Sequence, residues 1–128
     1  MAPIPMEQEI AKCPIVEHAV VVGDNRPFVA AAVTLDPEGL AQWLPTQKLA
    51  ADLSLEEAAT LPKVHAEIQR YVDRANADVS RAESVRKFIV LPVQFTQDNK
   101  CLTPSMKVVR PKVNEVFAAE IDKEIYGR

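Results

Sequence analysis

Val16-Glu17-His18-Ala19-Val20-Val21-Val22-Gly23-Asp24-Asn25-Arg26-Pro27-Phe28-Val29-Ala30-Ala31-Ala32-Val33-Thr34-Leu35 is the stretch whose reading decides the fold. Val16 to Val22 is β-branched, and Val20, Val21 and Val22 form a buried run. Gly23 to Pro27 gathers turn-forming residues. Phe28 to Leu35 is β-rich again, though Ala30, Ala31 and Ala32 dilute it. Two strands joined by so short a loop pair antiparallel.

Outward from this pair, the spacing of apolar residues predicts helices. Pro5 to Cys13 precedes the first strand, with Ile4, Met6, Ile10 and Cys13 as its stripe and Pro14 as its stop. After the second strand, Asp36 is an N-cap and Pro37 a first helical residue, followed by Leu40, Trp43 and Leu44 on one face. Trp43 reads as core packing. Ser54 and Glu57 form a capping box that opens a helix over Leu55 to Thr60. Pro62 opens the longest helix, to about Glu83, on Val64, Ile68, Tyr71, Val72, Ala75 and Val79. Val85 to Leu91 is a third strand and Pro92 closes it. Phe95 to Cys101 is polar and turn-rich. Pro111 opens a last helix, to about Tyr126, on Val113, Val116, Phe117, Ile121 and Ile125. The expected fold is α+β, in the order α-β-β-α-α-β-α with the short Leu55 to Thr60 helix counted together with the long one that follows it, and with a small mixed or antiparallel three-stranded sheet covered by helices.

With 128 residues, 48% of them hydrophobic and 26% charged, the composition is that of one soluble globular domain. A net charge of −3 gives no global reason to expect nucleic acid as partner. No apolar run approaches the roughly 18 residues of a membrane span. The start, Met1-Ala2-Pro3-Ile4-Pro5, lacks the basic then apolar pattern of a signal peptide, so a reduced cytosolic setting is expected. Cys13 and Cys101 have no Cys or His near them in sequence at metal spacing, and His18 and His65 read as structural or surface residues. No metal ligands are expected. With three glycines and neither GxGxxG nor GxxxxGK[ST], the chain holds no self-contained nucleotide cradle.

One loop stands apart. Leu102-Thr103-Pro104-Ser105-Met106-Lys107 sets a lysine on a short turn between a strand and a helix. A loop lysine places a compact charge where a phosphate or carboxylate from outside the domain can meet it. A solvated surface lysine is the bland alternative.

Taken in order, the chain resembles the C-terminal domain of long-chain fatty-acid–CoA ligases, within the adenylate-forming superfamily. Pro3 to Ile10 resembles the helix that follows the hinge between that family's large and small domains. Pro14 to Gly23, Asp24 to Ala31, and Ala75-Asn76 with Val79 to Phe88 resemble later family segments. Leu102 to Lys107 is the strongest match. With the long Gln94 to Cys101 segment, it favours the long-chain CoA ligases over relatives that load a carrier protein. Many members of the superfamily carry glycine before the lysine. Here that residue is Met106, a form often met in long-chain enzymes.

The resemblance implies that residues 1–128 are one C-terminal lid domain. The ATP, Mg2+ and fatty-acid sites would lie in an N-terminal adenylation domain absent from this chain. Lys107 would be the catalytic lysine of acyl-adenylate formation, on a loop with Thr103, Pro104 and Ser105. The lid would then rotate for thioester formation with CoA. Arg81, Arg86 and Lys87 are candidates to meet the phosphates of CoA, against the alternative of a solvated basic edge. Arg110 and Lys112 read as surface cations. No tightly bound cofactor and no catalysis are expected of the fragment alone. A cytoplasmic enzyme, peripheral to the membrane at most, is implied. The alternatives are the lid of a carrier-loading enzyme and a non-catalytic interaction domain.

Overall fold

The computed structural model describes residues 3–23, 27–77, 79–80 and 83–127. β1 (Val16–Val22) and β2 (Ala30–Leu35) pair antiparallel from Val22 opposite Ala30 to Val16 opposite Leu35. β3 (Lys87–Leu91) joins β2 in parallel, Ala30 opposite Lys87 and Thr34 opposite Leu91. The strand order is β1-β2-β3. A parallel neighbour needs a crossover. It is supplied by α2 (Pro37–Trp43), a 3-10 turn (Leu44–Gln47), α3 (Leu55–Ala59) and α4 (Pro62–Asn76). α1 (Pro3–Ile10) precedes β1, while α5 (Arg110–Val116) and α6 (Ala118–Glu124) follow β3.

β2 is buried at every position. The pleat sends alternate side chains to opposite faces, so the sheet divides two cores. Ala19, Val21, Ala31, Val33, Leu35 and Val90 face one core, with Met6, Ile10, Leu40, Val64, Ile68 and Val72 from the helices. Val20, Val22, Ala30, Ala32, Ile89 and Leu91 face the other, with Phe95, Leu102, Val113, Phe117, Ile121 and Ile125. The alanines that weaken the strand reading are the residues flanked by larger side chains on both neighbouring strands. Buried Thr34 Oγ1 accepts the His18 N–H at 3.1 Å where the β1 register shifts. On α2, a side chain at Gly39 would stand 1.9 Å from the Pro14 carbonyl oxygen, so only glycine admits that approach.

The α+β class, the β1 limits and the capping box at Ser54 agree with the sequence reading. Several boundaries differ. α1 spans Pro3–Ile10, and Cys13 is buried from the turn beyond it. β2 begins at Ala30; Phe28 instead packs on Tyr126, whose hydroxyl donates to the Phe28 carbonyl at 2.8 Å. Trp43 is only half-buried, at the margin of the first core. α4 ends at Asn76 instead of near Glu83, and β3 begins at Lys87. The cause lies in Asn76. Its Nδ2 donates to the Val85 carbonyl at 2.9 Å and its Oδ1 accepts the Val85 N–H at 2.8 Å, which turns the chain toward β3.

The expected last helix is two, joined at Phe117 (φ −107°, ψ 21°). Val113, Phe117, Ile121 and Ile125 are all buried at four-residue spacing. A straight helix would swing each step by about 40° around its axis. The break keeps all four on the sheet and leaves Val116 exposed. Among the described residues no helix is long and apolar enough to cross a membrane.

Asn76→Ala removes both bonds to Val85 and leaves those part-buried backbone groups without their partners. It should destabilise the domain by about 2 kcal/mol. Equilibrium urea unfolding measures this as a lower midpoint at unchanged slope; an unmoved midpoint would show that β3 is seated without Asn76.

Candidate functional site: the Lys107 hairpin

Leu102 and Val108 bridge antiparallel and close a tight hairpin. Below them, the Val109 N–H donates to the Cys101 carbonyl at 2.8 Å. Above them, the Thr103 N–H donates to the Lys107 carbonyl and the Met106 N–H to the Thr103 carbonyl, both at 2.8 Å. Pro104 fits the first central position of such a turn because its φ is already set. Thr103 Oγ1 accepts the Lys107 N–H at 3.1 Å and lies 3.0 Å from Ser105 Oγ. Met106 then adopts φ 66°, the left-handed conformation that closes three-residue hairpins and is normally given to glycine. The residue is 58% exposed.

Lys107 leaves the turn exposed. Its backbone is held on both sides, but its ammonium has no hydrogen-bond or ion-pair partner among the described residues. A fixed backbone under a free cation is what recognition of an external anion requires.

The preceding segment is built on Asn99. Its Oδ1 accepts the N–H groups of Thr96 at 3.0 Å and Cys101 at 3.1 Å, and its Nδ2 donates to the Gln94 carbonyl at 3.0 Å. Phe95 anchors that segment in the second core. On the other side, Arg110 begins α5 and its guanidinium forks onto both oxygens of Glu7 from α1. Glu7 Oε2 also accepts the Val21 N–H at 2.7 Å, on the outer edge of β1.

The cysteines are buried and both histidines stack on phenylalanines. Burial pushes the Cys13 thiol up to about 11, far from a reactive thiolate. Burial likewise raises the Cys101 thiol. His18 stacks on Phe95, and burial lowers its pKa more than Glu17 raises it. His65 stacks on Phe88 with Nε2 2.9 Å from the Ala59 carbonyl oxygen. Among the described residues no three His, Cys, Asp or Glu side chains gather as a metal site.

The family model for the AMP-binding enzyme C-terminal domain matches residues 1–128. The chain belongs to that family. Over its whole length it is 45% identical to the long-chain-fatty-acid–CoA ligase FadD15 of Mycobacterium tuberculosis, of which it covers 21%. It is 30% identical to the peroxisomal long chain acyl-CoA synthetase 6 of Arabidopsis thaliana, with 94% of this chain and 18% of that protein covered. The chain thus spans about a fifth of the curated relatives it matches. The A domain of a carboxylic acid reductase from Segniliparus rugosus, solved with AMP and a co-purified carboxylic acid, shares the fold. Its TM-score is 0.64 at 24% identity, covering 98% of this chain and 18% of that one.

Within this AMP-binding enzyme C-terminal domain, Thr103, Pro104, Ser105 and Lys107 share one turn. Arg86 and Lys87 lie elsewhere, exposed at the start of β3 and beside a surface hollow shared with His65 and Gln69. β3 is the opposite edge of the sheet from β1, where Glu7 and Arg110 meet. Arg81 lies outside the described residues. Lys112 pairs with Glu115 at 3.1 Å, as a surface cation would. Arg110 does not fit that reading, because Glu7 holds it. No local pattern marks that pair, whose partners stand 103 residues apart. Asn99 was legible only as a turn residue.

Met106→Gly should relieve the left-handed backbone and stabilise the domain by about 1 kcal/mol. Comparison of unfolding midpoints measures it; a loss of stability instead would mean that the Met106 side chain contributes contacts worth more than the strain.

Proposed function

We propose that this chain is the mobile C-terminal lid of a long-chain fatty-acid–CoA ligase and that Lys107 is its adenylation lysine. The observation that carries the reading is the Lys107 ammonium, exposed and without a partner among the described residues, on a hydrogen-bonded hairpin in a chain belonging to the AMP-binding C-terminal family. The names of the curated relatives support fatty acid as substrate and CoA as acceptor. The reductase domains share the fold alone and do not favour a carrier-protein acceptor.

In the first half-reaction the fatty-acid carboxylate attacks the α-phosphorus of ATP. The new carboxyl-oxygen–phosphorus bond forms as the bond to pyrophosphate breaks. Both reactants are anionic, and negative charge collects on the α-phosphate oxygens in the transition state. One ammonium between carboxylate and phosphate offsets the ground-state repulsion and the developing charge. Closure of the lid excludes water and strengthens both effects. Lysine suits this position because its charge is compact, whereas a guanidinium spreads it over a plane. In the second half-reaction the CoA thiolate attacks the acyl carbonyl and AMP leaves. The lid presents another face for this step. Arg86 and Lys87, on the opposite sheet edge, are the cations available there for the CoA phosphates. Mg2+ would accompany ATP in the large domain; among the described residues of the lid no three His, Cys, Asp or Glu side chains gather to hold it.

In the full-length enzyme, Lys107→Ala should slow acyl-adenylate formation by about two orders of magnitude or more. Thioester formation from supplied acyl-AMP should be largely spared. Timing the two half-reactions separately tests this: equal losses would indicate lid misfolding, and unchanged adenylation would refute the assignment. Lys107→Arg should also be poor, and Lys112→Ala mild. The 128-residue chain alone should form no acyl-AMP.

A further inference from the structure

Lys107 is placed by backbone bonds, so whatever sets the hairpin's angle sets its ammonium. Two elements flank the hairpin. The Asn99-centred segment enters it, and Arg110 leaves it three residues after Lys107. The entering side is closed on itself through Thr96, Gln94 and Cys101. The leaving side reaches out to α1 through Glu7. Planar recognition by two parallel N–H···O bonds fixes orientation as well as distance. The Glu7 carboxylate is itself immobilised, because the Val21 N–H on the outer edge of β1 donates to the same Oε2 that takes one prong of the fork. The Glu7 side chain is 13% exposed and that of Arg110 36%, so water screens the pair less than it would a surface pair.

We infer that Glu7 and Arg110 are a positioning pair for the adenylation step, locking the outgoing arm of the Lys107 hairpin to α1 and the β1 edge. This inference rests on the proposed role of Lys107. Neither residue touches the reactants. Each acts through the place where Lys107 stands when the lid closes. The pair therefore makes the lysine hairpin move as one body with α1.

The test uses the full-length enzyme, with Arg110→Gln and Glu7→Gln each made alone and in a Lys107→Ala background. Glu7→Gln keeps an oxygen for the Val21 N–H and serves if Arg110→Gln does not fold. Each single substitution should lower the adenylation kcat by roughly ten- to hundredfold, as a misplaced catalytic group does. Thioester formation from supplied acyl-AMP should change by less than about threefold, and Arg110→Lys should recover part of the rate. In the Lys107→Ala background either substitution should add less than about threefold, because the group it positions is gone. A full additional loss in that background, or an equal loss in both half-reactions, would overturn the positioning role. Wild-type adenylation in both single variants would do the same. If Lys107→Ala itself leaves adenylation intact, the failure belongs to the lysine assignment.

Discussion

Everything in this domain is arranged around a central strand that is buried on both faces. β2 gives its Val33, Leu35 and Ala31 side chains to one core and Ala30 and Ala32 to the other. Such a strand has no solvent face, so each side must be covered by other elements. α1, α2 and α4 cover one side. The Phe95 segment, α5 and α6 cover the other. The lysine hairpin lies between the Phe95 segment and α5, rooted by Leu102 in the second core. A loop outside the core is thereby fixed by residues inside it.

This division bears on the two-step chemistry of the proposed enzyme. In that proposal the adenylation step needs one cation placed among anions, and the hairpin offers an ammonium that has no partner among the described residues, on a held backbone. The thioester step needs a different surface, and the cations near β3 stand on the other sheet edge. In the proposed enzyme, a rigid body carrying cations at two separate edges would serve both steps by rotating. Sheet burial supplies that rigidity, and the Glu7–Arg110 fork extends it to the outgoing arm of the hairpin.

The strands and most helix starts were legible because their signals are local. Val16 to Val22 is a β-branched run; Asp36-Pro37 and Ser54 with Glu57 are capping patterns that form as written. Misplaced ends arose where a distant group intervenes. Val79 keeps the helical period of α4, but Asn76 has already turned the chain by bonding Val85. Val113 to Ile125 keeps one period too, yet the sheet that it covers bends the helix at Phe117. At the site, the turn residues Thr103 to Lys107 were readable. The left-handed Met106 was visible only as a departure from glycine, and the bond between Glu7 and Arg110 not at all. A contact across the whole chain leaves no periodicity in either segment.

The central claim is that Lys107 meets the reacting anions when the lid closes on the adenylation domain. The most direct measurement is a structure of the full-length enzyme with a non-hydrolysable acyl-adenylate analogue. The Lys107 ammonium should lie within about 3 Å of both a phosphate oxygen and the acyl carboxyl oxygen, with the hairpin and the Glu7–Arg110 fork unchanged. A closed lid with Lys107 still in solvent, and another cation on the phosphate, would contradict it.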